Sequence, residues 1–207
     1  MPVHNTQPAV QSVSYVVGSW VRGVTCLDNI MYVVCDGSST IRLYDTQTYS
    51  ELDVVIDVNG MKRPQDITVC RDSRQLFVAD WVGYRSPSCI WRVSVDNHSY
   101  VKWLTTDEST THRFSVNSLS VTSRRLLVTS YPRSLRQYNT TDRQLLRVVE
   151  LPQFVWSLYH AVETTRGTFV VSHYGTAQSE QQCAVSNLFA VAVNIFAQQA
   201  YCVNVSC

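Results

Sequence analysis

The amino-acid sequence predicts an all-β chain built from repeated four-stranded units, and three observations carry that expectation. The 207 residues are 45% hydrophobic and 16% charged, which excludes a disordered chain, since such a chain has too little apolar surface to bury and too much net charge. Helical periodicity is nearly absent between Ser12 and Gly175, where short β-branched and aromatic runs alternate with polar turns. These runs also repeat. IMYVVC with IRLYD (Ile30 to Asp45), QLFVAD with CIWRVSVD (Gln75 to Asp96), RLLVTSY with LRQYN (Arg125 to Asn139) and GTFVVSHYG (Gly167 to Gly175) follow one another every roughly 40–50 residues, the period of a β-propeller blade.

Each unit opens with a shorter strand: RGVTCL at Arg22, PQDITVC at Pro64, VNSLSV at Val116 and VWSLYHA at Val155. The first three close with ELDVVIDV from Glu51, SYVKWL from Ser99 and QLLRVVEL from Gln144. Runs such as MYVVC and LFVA are apolar on consecutive residues, as a strand covered on both faces requires. Turn residues separate the runs at Asp28-Asn29, Asp36-Gly37, Asp72-Ser73, Asp96-Asn97 and Thr141-Asp142. The expected organisation is an N-terminal extension over 1–19 and a partial β-propeller over 20–176, with blades at about 22–58, 63–105, 114–152 and 154–176. A tail over 177–207 follows. The propeller is expected to be incomplete, three blades and part of a fourth. In the tail the pattern fades, and a strand pair, a buried helix, a weak membrane segment and unrelated sequence all compete; its polar interruptions at Asn187, Asn194, Gln198 and Gln199 count against the membrane. The ranking favours an apolar tail of unrelated sequence.

The series PQDITV…LFVADW…IWRV from Pro64 to Val93 and HAVETTRGTFVVSHYG from His160 to Gly175 resembles the NHL-repeat, six-bladed propeller family, over about residues 20–176. The resemblance implies a non-catalytic module that offers propeller loops to a protein partner. Because some NHL propellers bind RNA, it also makes RNA binding an alternative. A propeller hydrolase or lyase with a metal on its axis is the third reading.

Composition narrows the partners. A net charge of +1 gives the chain as a whole no pull toward nucleic acid or anionic membrane. Yet all but two of its 17 basic residues are Arg, and Arg124, Arg125, Arg133, Arg136, Arg143 and Arg147 stand close together against one acid, Asp142. Arg grips phosphate with a two-pronged fork and stacks on bases. Arg124, Arg125, Arg133 and Arg136, with Tyr131 and Trp81 as aromatic platforms, are therefore the candidate partner or RNA contacts. An outer rim of solvated charge is the plainer reading of the same residues. Self-association through an open blade edge is a further expectation.

Chemistry is sparse. His160 and His173 lie on the two strands of one expected hairpin, but two imidazoles without a third ligand do not make a zinc site. Asp36, Asp80, Ser130 and Ser172 are read as one repeated position, where Asp most simply bonds the backbone amides of a turn. No nucleophile elbow, phosphate loop or CxxC pair occurs. No catalytic residue, metal ligand or cofactor is assigned, and no enzyme activity is expected. The N-terminal stretch lacks a basic segment followed by an apolar run, and the seven Cys sit mostly in strand-like runs, so a cytoplasmic location is expected.

Overall fold

The computed structural model describes residues 20–81, 83, 87–106, 115–131, 133–153, 155 and 158–174, with the backbone of Leu188–Asn194 and Gln199–Val203. The four sheets are antiparallel and strictly sequential. The first holds β1 (Val21–Leu27), β2 (Ile30–Cys35), β3 (Thr40–Asp45) and β4 (Glu51–Asp57). The second holds β5 (Pro64–Cys70), β6 (Gln75–Asp80), β7 (Cys89–Ser94) and β8 (Tyr100–Thr105), and the third β9 (Ser115–Thr122), β10 (Arg125–Tyr131), β11 (Ser134–Asn139) and β12 (Leu145–Glu150). The fourth holds β13 (Leu158–Glu163), β14 (Phe169–Tyr174), β15 (Leu188–Asn194) and β16 (Gln199–Val203). The first strands β1, β5, β9 and β13 lie side by side, each against the next, so the sheets stack as blades around an inner line of strands. This is the β-propeller that the repeat predicts.

The fourth blade corrects the expected boundary at 176. Its two outer strands come from the segment set aside as an unrelated tail: β15 pairs with β14 from Phe169↔Val193 to Tyr174↔Leu188, and β16 pairs with β15. LFAVAVN is apolar on consecutive positions, a pattern that a covered strand and a buried helix share, so periodicity does not separate the two.

The blades repeat bond for bond. In the first three, the turn from third to fourth strand spans Asp45–Ser50, Ser94–Ser99 and Asn139–Gln144. Each closes with the same pair of backbone bonds, such as Asp45 N–H to Ser50 O and Tyr49 N–H to Asp45 O. Each places one residue in the left-handed region: Tyr49, His98 and Arg143. Side-chain acceptors Asp45, Asn97, Asn139 and Asp142 take up the amides the turn leaves free. Short polar side chains at turns do this routinely, which is why the Asx-rich stretches mark the loops so clearly.

Three apolar clusters hold neighbouring blades together. Leu27, Tyr32, Ile41, Ile56, Ile67, Leu76, Val78 and Trp91 fill the space between blades one and two. Phe77, Ile90, Trp103, Leu119, Leu126 and Tyr138 fill the next, and Leu127, Leu135, Leu158, Phe169 and Val171 the third. Phe77 and Tyr138 meet Trp103 edge to face, with ring centroids 5.1 and 6.0 Å away, a favoured aromatic geometry. Cys35, Cys70 and Cys89 are buried free thiols and Cys26 is exposed; burial beside the Asp80 carboxylate pushes the Cys89 thiol up to about 12.

Candidate interaction face and axial belt

Every first strand carries one β-bulge near its start. The partner register skips Arg22 in β1, Gln65 in β5, Asn117 in β9 and Tyr159 in β13. A bulge re-aims the side chain that follows it, and those residues are Gly23, Asp66, Ser118 and His160. They form one belt across the four inner strands. The Leu119 N–H of the third blade donates to Asp66 Oδ2 at 2.8 Å, and Ile67 N–H donates to Oδ1 at 2.8 Å. His160 Nδ1 lies 3.0 Å from Ser118 Oγ and 3.8 Å from Asp66 Oδ2. Burial pushes the Asp66 carboxyl above its ordinary range, against the pull of the two amides and of His160. Gly23 is where the belt leaves no room: a Cβ there would sit 2.7 Å from Ile67 N and 3.0 Å from Asp66 Cα.

The belt is not a hydrolytic triad, because Ser118 and Asp66 both face the same imidazole nitrogen, whereas a triad uses one nitrogen for each. Among the described residues no group of three His, Cys, Asp or Glu side chains is placed to hold a metal. The two-His pairing does not form: His160 pairs with Ser172 and His173 with Leu158, and neighbouring residues of a strand point to opposite faces.

The same registers correct the repeated position read from sequence. Residues facing the start of each first strand are Cys35, Asp80, Ser130 and His173, so Asp36 and Ser172 are each displaced by one from the true equivalents. Asp80 is fully buried and accepts from Lys62 N–H, from Arg63 N–H at 2.7 Å and from the Trp91 indole at 3.1 Å. It fixes the approach to β5, and thereby sets Arg63 over the Trp81 ring at 5.1 Å from its centroid. Asp36 lies beside it on the surface, ion-paired to Arg22 at 2.9 Å and Arg63 at 3.6 Å, and the hydrogen bond from Arg22 holds its carboxyl below the usual range.

Trp81, Tyr131 and Arg133 thus stand at one end of the blades, where second strands end and third strands begin, together with Arg22, Asp36 and Arg63. Tyr131 is 59% exposed. Arg124 and Arg125 stand at the opposite end of β10, about 20 Å away along the strand. Arg124 pairs with Asp72 of the blade before at 3.4 Å, as Arg74 pairs with Asp28 at 2.8 Å. Arg125 reaches the buried Glu163 of the blade after at 3.4 Å. Arg136 is half-buried on β11, against Tyr138. The candidate contacts therefore divide between two ends of the molecule, and Arg124 and Arg125 are engaged in stitching blades. Arg22, Arg63, Gly23, Ser118 and the bulges that align the belt have no signature in the sequence, since a bulge has no residue preference of its own; of the belt only His160 stands out there.

The fold and this geometry define the chain as a run of β-propeller blades. No family model matches the sequence, and no curated protein matches it. Among solved structures it is similar to the hydrazine synthase of Kuenenia stuttgartiensis at 14% identity, with a TM-score of 0.64 over 89% of this chain and 54% of that one. It is also similar to U3-55K at 13% identity and TM-score 0.63, and to the WD40 repeats of RRP9 at 12% and 0.63, each over 89% of this chain and 51% of the other. The chain spans about half the length of these matched structures.

Proposed function

We propose that this chain is a non-catalytic interaction module of NHL-like type that presents the Trp81 end of its blades to a protein partner. The observation that carries this reading is the gathering of Trp81, Tyr131, Arg22, Arg63 and Arg133 at one end, on loops fixed from below by Asp80. Aromatic residues and Arg are the types enriched at the energetic centres of protein interfaces. The test is affinity purification with quantitative mass spectrometry on the wild type, Trp81→Ala, Tyr131→Ala and Arg124→Ala. Partners lost with the first two variants and kept with the third agree with the reading; a partner set that ignores both aromatic substitutions sinks it.

RNA binding by the third blade is the second reading, favoured by its density of Arg. It predicts affinity that falls steeply with salt, because each phosphate contact releases counterions, and that weakens on replacing Arg133 and Arg136. The split of the Arg side chains between two ends counts against it.

A further inference from the structure

Between blades two and three, at the end opposite Trp81, lies a cleft of about 400 Å³. It is walled by the turns that carry Ser73, Asn97, Ser99, Thr140 and Thr141 and by β7 and β8, which supply Arg92, Ser94, Tyr100 and Val101. Among the described residues no Asp or Glu lines it. Arg92 is half-buried and makes no hydrogen bond or ion pair among the described residues. Leaving a guanidinium partly desolvated without an anion is unfavourable. The acids nearest in sequence are already engaged: Asp96 binds Arg74 at 2.7 Å and Asp72 binds Arg124.

The hydroxyls around Arg92 differ in what they have left to give. Ser99 donates to Asn97 Oδ1 at 2.8 Å and Thr140 to the Arg124 carbonyl at 3.0 Å. Those of Ser73, Ser94 and Thr141 have no partner among the described residues. A flat two-pronged cation ringed by free hydroxyl donors and no carboxylate matches one chemical shape, a tetrahedral oxyanion.

The geometry points to this cleft as a site for a single phosphoryl group, carried as phosphoserine or phosphothreonine on a partner peptide. The inference rests on the reading of the chain as a protein-binding module but uses the opposite end of the blades. One cation serves one phosphoryl group. A nucleic-acid strand, charged at every nucleotide, meets Asp72 and Asp96 on the flanks, whose side chains are 56% and 61% exposed. A peptide has a further foothold, because β8 is the edge strand of its sheet. Tyr100 and Val101 belong both to that edge and to the cleft, so an extended segment is able to pair along it.

Titration of the whole chain with inorganic phosphate, followed by nitrogen-15 NMR of the Arg Nε–H signals and of the Thr141 and Ser99 amides, tests the site. A degenerate phosphoserine peptide library, its unphosphorylated counterpart and a single-stranded RNA oligonucleotide test the source. Phosphate should shift the Arg92 signal and both amides, and the phosphorylated library should be retained at least tenfold better than its counterpart, on the order of one charge-assisted pair. Arg92→Gln should abolish both effects, Thr141→Ala should weaken them, and neither should alter the Trp81-dependent partners. That last arm separates failure of this site from failure of the interaction reading. Absence of an Arg92 shift at millimolar phosphate overturns the proposal, as does equal retention of the two libraries or Arg92-dependent binding of RNA in preference to phosphopeptide. Because the wild-type shift and the Thr141 variant stand on their own, misfolding of Arg92→Gln leaves the question answerable.

Discussion

Asp80 has no exposed surface, yet its carboxylate meets two backbone amides and an indole N–H. Replacement by Ala strands the buried Trp91 indole N–H, at about 1–3 kcal/mol, and frees two part-buried amides, so Asp80→Ala should lose about 2–3 kcal/mol in urea denaturation and release the Lys62–Arg63 segment that aims at Trp81. A Cβ at Gly23 meets backbone rather than a flexible tip, and Gly23→Ala should cost about 2 kcal/mol by overpacking. Asp66 imposes a pH dependence. Its folded pKa is raised by burial, so as pH rises the unfolded chain gives up this proton first, and the native state is progressively disfavoured from about pH 4 upward, through the folded pKa. Urea midpoints taken from pH 4 to 7 should drift in favour of Asp66→Asn relative to wild type; a constant gap refutes the assignment. Read from sequence, Asp80 is an acceptor of turn amides; the amides it takes are instead those of Lys62 and Arg63, 18 and 17 residues earlier, in the segment that enters β5. The contacts of Asp66 with Leu119 and His160 depend on residues dozens of positions away, which only the stacking of the blades brings near.

At the level of the strand and turn, the third-to-fourth-strand loops were readable because Asx side chains announce them. The turn between β9 and β10 was less so. It has two residues, Ser123 and Arg124, both with positive φ, at 45° and 62°. That is the type I′ geometry that Asn-Gly satisfies without strain. Arg124→Gly should therefore raise stability by about 0.5–1 kcal/mol, since the exposed pair with Asp72 returns little; thermal unfolding reads the sign. Trp103 belongs to β8 but joins blades two and three through Phe77 and Tyr138. Its indole N–H is buried without a partner among the described residues. Trp103→Ala should cost about 3–5 kcal/mol, whereas Trp103→Phe keeps the ring contacts, drops the unpaired donor and should cost far less. Equal losses in urea midpoint for the two variants would show that the ring contacts are not what matters.

At the scale of the whole molecule, the described blades pack mainly on their neighbours, so stability behaves as a sum of blade and interface contributions. The cluster between blades one and two is the richest in described apolar residues and that between three and four the poorest. Amide hydrogen exchange should accordingly be slowest in β2 and β6 and faster in β13 and β14, in steps rather than uniformly. The propeller was legible because a repeat multiplies a weak strand signal. Blade four lost its signal midway, where Gly175 ends the last recognisable motif and β15 and β16 carry no turn residues that match the earlier blades.

The belt left by the four bulges has a consequence for descent. Gly23, Asp66, Ser118 and His160 occupy one socket, repeated four times, outside the apolar clusters that hold the blades. With the socket empty, acidic, hydroxylic or imidazole-filled in turn, the backbone bulge is retained each time. The lining of the axis is therefore open to rewriting one letter per blade, with the fold held constant, and a lineage of such propellers would diverge there before it diverged in its core.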